Sequence, residues 1–123
     1  MSLKFDENLP IYIQIMDYIK KKTVIGEIKE GDKLPSVREL SSDLKVNPNT
    51  VSRVYQELER EGLTYTQRGM GTFITEDKDI LYSLKKTMAR DIVSKFIYQI
   101  KELHFSKDEI LALLKEEIDG DGE

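Results

Sequence analysis

Asn47-Pro-Asn-Thr-Val-Ser-Arg-Val-Tyr-Gln-Glu-Leu-Glu-Arg-Glu-Gly62 decides how this chain folds. Val51, Val54, Tyr55 and Leu58 recur at helical spacing and form one apolar stripe. Asn47 suits the cap that accepts the first free N–H groups, and Pro48 suits the first helical position, where no N–H is required. Gly62 stops the helix. At about 100° per residue, the side opposite the stripe carries Asn49, Arg53, Gln56 and Arg60, with Ser52 on one flank. Amide and guanidinium groups match the donor and acceptor pattern of purine edges in the major groove. A packed back and such a front fit a DNA reader. They also fit an ordinary solvated helix, so the neighbouring sequence has to decide.

Upstream, Leu34-Pro-Ser-Val-Arg-Glu-Leu40 contains Ser36-x-x-Glu39, a capping box that starts a second short helix with Val37, Leu40 and Leu44 on its apolar side. Only Lys45 and Val46 separate that helix from Asn47, so two short helices meet across a tight turn, as in a helix-turn-helix. Downstream, Leu63-Thr-Tyr-Thr-Gln67 and Thr72-Phe-Ile-Thr75 are strand-like and flank Arg68-Gly-Met-Gly71. That pattern predicts a two-stranded hairpin. Helix, helix, hairpin is a winged helix-turn-helix.

Leu34-Pro-Ser-Val-Arg-Glu-Leu40, Val46-Asn-Pro-Asn-Thr-Val-Ser-Arg53, Glu61-Gly-Leu63 and Arg68-Gly-Met-Gly-Thr-Phe73 together resemble the GntR family of bacterial transcription regulators. With Leu9-Pro-Ile-Tyr-Ile-Gln-Ile15 in front, the resemblance covers residues 8–75. The short tail looks like the YtrA subfamily, in which a small helical unit replaces the usual ligand-binding domain. The resemblance implies a homodimer that binds double-stranded operator DNA and usually represses, with an operon of membrane-transporter genes as target. Better-known branches of the family place arginines where this chain has Pro48 and Ser52, so base reading here relies on smaller polar groups and Arg53.

Charge argues against a nucleic-acid partner only at first sight. The chain of 123 residues carries a net charge of −4, but residues 1–75 hold 11 Lys/Arg against 11 Asp/Glu. The excess acid sits in residues 76–123, with 8 against 12. Affinity depends on charges close to phosphates, because more distant ones are screened. Arg38, Lys45, Arg53 and Arg68 are expected toward DNA, and Asp43, Glu57, Glu59 and Glu61 away from it. There is no cysteine, which excludes disulfides and thiolate metal sites. No apolar run approaches the roughly 20 residues of a membrane span, and Met1-Ser-Leu-Lys-Phe-Asp-Glu7 lacks a signal region, so a cytoplasmic protein is expected.

The first helix is expected to open at Pro10 and run to about Val24, with Ile11, Ile15 and Ile19, and also Tyr12 and Met16, on its core side. Lys20-Lys-Lys22 in its last turn reads as helix capping and solvation, with a phosphate contact as the alternative. Tyr12, Tyr18 and Tyr55 read as packing residues rather than base-stacking ones. Residues 1–75 are thus a winged domain and residues 76–123 a two-helix dimerisation tail, in a mainly α fold with one small β-hairpin. In the tail, Leu81, Leu84, Met88, Ile92, Phe96, Ile100 and Leu103 advance by three or four, a stripe of about 40 Å along one helix from Asp77 to Leu103. Ser106-x-x-Glu109 caps a last helix through Ile118, and Asp119-Gly-Asp-Gly-Glu123 is expected to fray. So small a hairpin leaves much apolar surface exposed, which a second copy would cover.

Nothing points to catalysis. His104 is the only histidine, at a helix junction, and Asp119 and Asp121 lack a calcium loop around them. Arg68-Gly-Met-Gly71 is not followed by the Gly-Lys-Ser/Thr of a phosphate-binding loop. No metal or cofactor is expected, and any small-molecule effector would have to bind between the tail and the winged domain. The expected DNA-binding residues are Ser36 and Arg38 on phosphate, Asn47, Asn49, Thr50, Ser52 and Arg53 on the reading helix, and Arg68 with Gly69 on the wing. Two other classes stay open. One is a winged module that binds only proteins; the other is a piece of a regulator fused to an aminotransferase-like domain, which needs several hundred more residues.

Overall fold

The computed structural model describes residues 3–120 and places seven elements along them: α1 (Ile11–Val24), α2 (Val37–Leu44), α3 (Pro48–Arg60), β1 (Thr64–Gln67), β2 (Gly71–Ile74), α4 (Lys78–Lys101) and α5 (Lys107–Gly120). Helix α1 starts behind Pro10 without a side-chain cap. Gln14 folds back instead, accepting the Asp6 N–H at 2.8 Å and donating to the carbonyls of Asp6 and Leu9. Ile15, Met16, Ile19 and Thr23 are its buried side. Two of the three lysines expected to solvate its end have carboxylate partners. Lys20 pairs with Glu61 at 2.8 Å, tying α1 to the end of α3, and Lys22 pairs with Glu27 at 2.6 Å.

The expected capping box on α2 is complete. Glu39 N–H donates to Ser36 Oγ at 3.0 Å, and Ser36 N–H donates to Glu39 Oε1 at 2.9 Å. Lys45 ends the helix in the left-handed conformation (φ 57°), so a lysine makes the sharp turn where a glycine is the easier choice. Asn47 Oδ1 then accepts the Asn49 N–H at 2.8 Å and starts α3 with Pro48 in its first turn. Val51, Val54, Tyr55 and Leu58 are buried, the same stripe that the sequence displays. The Tyr55 hydroxyl donates to the Pro35 carbonyl at 2.6 Å and pins α3 to the residue just before the α2 cap.

The hairpin pairs Thr64 with Ile74 through Gln67 with Gly71, antiparallel, within one residue of the expected limits. Its sheet has a short extra edge that the sequence did not announce. Gly31 N–H donates to the Ile74 carbonyl, Ile74 N–H to Asp32 and Leu34 N–H to Thr72, at 2.8–2.9 Å. The segment before α2 is thereby stitched to the wing. One apolar core of α1, α2, α3 and β2 results, with Leu34 and Leu63 from the flanking segments, centred on Ile15, Ile19, Leu40, Val51, Val54, Leu58 and Ile74.

The chain divides by contacts into two units, one ending at Lys85 and the other beginning at Lys86, ten residues beyond the expected boundary after residue 75. The reason is local. Leu81 and Leu84, near the start of α4, pack on the core of the winged unit, and Ile80 lies against Gly62. Both leucines are half-buried there, as Met88 is one turn on, and Ile92 is the first residue of the stripe that stands exposed.

In the second unit, the remainder of α4 turns at His104 (φ 62°) into α5, with Ile100 and Ile110 as its buried side chains. The Ser106–Glu109 box caps α5 as expected. Asp119 and Gly120 continue the helix rather than fray, and Asp121, Gly122 and Glu123 lie outside the described residues. Met88 and Phe96 are half-buried and Ile92 is 70 % exposed. Val93, Tyr98, Leu103, Leu111 and Ile118 are also exposed, much apolar surface for so small a unit.

Candidate nucleic-acid interface

The candidate interface is assembled by α2, the Lys45–Val46 turn, α3 and the wing. Burial of Val51, Val54, Tyr55 and Leu58 fixes the rotation of α3, so Asn49, Arg53, Gln56 and Arg60 face outward and are exposed. Thr50 and Ser52 are half-buried on its flanks. Arg38 is exposed on the first turn of α2, where helical geometry leaves the N–H groups of Val37 and Arg38 without a carbonyl one turn back. Such a terminus favours an anion. The Ser36 N–H is different, because the Glu39 carboxylate already accepts it. Toward a phosphate, the free backbone N–H groups at this helix start are therefore those of Val37 and Arg38.

Asn47 is similarly half-committed. Its carboxamide oxygen caps α3, which leaves its NH2 as the group able to reach DNA. The wing tip carries Arg68, Gly69 and Met70, all exposed, with Gly69 at φ 78°. Gly71 has a steric reason as well as a conformational one. Its φ is 123°, and a Cβ there would come within 2.8 Å of the Lys33 side chain.

Lys33 is a residue that periodicity gave no reason to select. It bridges to Phe73, lies across the base of the wing and, with Ser36, Glu39, Tyr55 and Thr72, lines a recess of about 280 Å³ between α2 and the wing. Its ammonium adds to the pull that holds the Glu39 carboxyl below the usual range; the Ser36 backbone N–H is the larger cause. Tyr12 is the other. The Arg53 guanidinium lies over its ring, 3.7 Å from the centroid. The two are far apart in sequence, and only the packing of α1 on α3 brings them together.

Glu57 is engaged by Arg60 and Glu61 by Lys20, whereas Arg38, Arg53 and Arg68 are in no ion pair among the described residues. Tyr55 has its hydroxyl pKa pushed up, first by burial and then by Glu39, and stays a neutral hydrogen-bond donor at any physiological pH. No group of side chains suited to hold a metal ion occurs among the described residues, and no helix there is long and apolar enough to cross a membrane. His104 is exposed at its junction.

The profile of bacterial regulatory proteins of the gntR family matches residues 11–74, the span that builds this surface. The uncharacterized HTH-type transcriptional regulator YhcF of Bacillus subtilis is 46% identical over 115 residues, 94% of this chain and 95% of its own length. The HTH-type transcriptional repressor YtrA of the same organism is 44% identical, covering 86% of this chain and 88% of its own. Among solved structures, a GntR family transcriptional regulator from Listeria monocytogenes superposes with a TM-score of 0.84 at 43% identity, over 91% of this chain and 98% of its own.

Proposed function

Because the chain belongs to the GntR family of DNA-binding transcriptional regulators, we propose that it is a homodimeric repressor acting in the cytoplasm on a two-fold operator. The observation that carries this reading is the outward face of α3, where Asn49, Arg53 and Gln56 stand exposed on a helix fixed from behind, on one rigid core with Arg38 and the wing. Helix α3 enters the major groove and α2 crosses the backbone. Ser36 and Arg38, at the start of α2, approach a phosphate through backbone N–H groups and the guanidinium, and Asn49, Thr50 and Ser52, with the Asn47 amide, lie at the end of α3 nearest the bases. Arg68 and Gly69 reach along the minor groove, where arginine favours narrow A·T-rich tracts.

The helices after residue 76 serve the dimer. The stripe of Met88, Ile92 and Phe96, with Ile92 exposed and Ile100 buried beneath it, is the apolar surface that a second copy covers. The likeness to the repressor YtrA favours repression of an operon, and the subfamily resemblance points to transporter genes as its content. The relatives named are regulators, and the chain is read as having no enzymatic activity.

Selection of bound sequences from a random DNA pool tests the reading. A DNA-reading dimer enriches an inverted repeat with half-sites about one helical turn apart. A winged module that binds only proteins enriches no sequence above background.

A further inference from the structure

Arg53 is the central cation of α3, yet it does not stand straight out from the helix. At about 100° per residue it already leans from the crest that Asn49 and Gln56 share toward the flank of Thr50 and Glu57. That flank faces α1, since the Lys20–Glu61 ion pair joins the two helices on the same side. There the guanidinium is laid over the Tyr12 ring at 3.7 Å. Tyr12 is half-buried and packed against the core, so the platform is fixed while Arg53 itself is exposed. Stacking on an aromatic face leaves the in-plane N–H groups of a guanidinium free to donate and restricts its many rotamers in advance. No carboxylate competes for Arg53 among the described residues.

We propose that Tyr12 is a positioning residue that holds Arg53 against the α1 flank of the reading helix. From there Arg53 grips a backbone phosphate at the wall of the groove and leaves base reading to Asn49 and Ser52. This rests on the DNA-binding reading above, and it makes the first helix part of recognition rather than only of the core.

The test is a double-mutant cycle in the full chain, titrated with the pool-selected operator and its single-base variants over a salt series. Arg53→Ala should weaken every sequence alike, by roughly tenfold or more, and lower the salt slope by about one. Tyr12→Leu should reproduce the same even pattern, at roughly three- to thirty-fold. Tyr12→Phe, which keeps the ring, should stay within about twofold of the parent. Added to Arg53→Ala, Tyr12→Leu should cost nothing more.

Costs of Tyr12→Leu and Arg53→Ala that multiply would overturn the positioning role, because a merely structural loss acts whether or not Arg53 is present. An Arg53→Ala variant that loses preference at one base pair would overturn the phosphate assignment. A parent chain that selects no DNA would bring down the functional reading and this inference with it. A parent that binds, with the two variants acting independently, would bring down the inference alone.

Discussion

Arg38 and Asn49 stand on the same surface, and their chemistry separates their roles. Arg38 lies at the start of α2, which on the proposed docking crosses the backbone, where a guanidinium and free N–H groups would meet phosphate whatever the base sequence. Arg38→Ala should therefore weaken all operators nearly uniformly and reduce the salt slope by about one. A loss confined to one base position, measured by titrating single-base variants, would contradict that role. Asn49 lies on the first turn of α3 with its side chain exposed, and its amide can pair with an adenine edge. Asn49→Ala should cost roughly 1–3 kcal/mol and relax preference at one position in each half-site. An unchanged selected motif would move base reading to Ser52 or Thr50.

At the scale of the element, α2 and α3 are each set by their own cap. Ser36→Ala removes the acceptor for the Glu39 N–H and should cost roughly 0.5–2 kcal/mol of stability, read in a denaturant melt. The same box carries a pH signature. The Glu39 carboxyl is held below the ordinary glutamate range, chiefly by the Ser36 backbone N–H and then by the Ser36 hydroxyl. A carboxyl depressed in the folded state favours folding above its unfolded pKa, and that contribution is lost as pH falls through the folded value. Glu39→Gln should thus lower the melting temperature at neutral pH, with the gap from the parent closing as pH falls through and below the ordinary glutamate range. A gap independent of pH would assign the effect to packing instead.

Caps and stripes are also what made the fold legible from sequence. Ser36-x-x-Glu39, Asn47-Pro48 and Gly62 are local signals, and they set element limits to within a residue or two. What stayed hidden depends on partners distant in the chain. Lys45 in a left-handed turn carries no glycine to mark it, and the edge formed by Gly31–Leu34 pairs with strand residues some forty positions later. Leu81 and Leu84 share the period of Met88 and Ile92, so spacing alone could not show that the first two pack on the winged core. Tyr12 read as a packing residue, which it is; that its ring also carries Arg53 needed the approach of α1 to α3.

At the scale of the whole molecule, one winged unit presents one reading helix, and a two-fold operator needs two of them about 34–36 Å apart. The proposed tie is the apolar stripe on α4 centred on exposed Ile92, with half-buried Met88 and Phe96 beside it. Phe96→Glu, or Ile92→Glu at a position 70 % exposed in the single chain, would place an unpaired carboxylate in that seam and should split the dimer. The winged core, with its own buried residues, should keep its fold, so each monomer could still touch a half-site. What it loses is the second half-site held at high effective concentration, typically a factor of about 10²–10⁴ in operator affinity.

The most direct measurement is therefore sedimentation and operator titration on one and the same Ile92→Glu preparation. The account predicts a monomer whose affinity for the full operator falls by about 10²–10⁴ while its affinity for an isolated half-site is unchanged. A monomer that binds the full operator as tightly as the parent would contradict it, and a variant that remains dimeric would place the interface elsewhere.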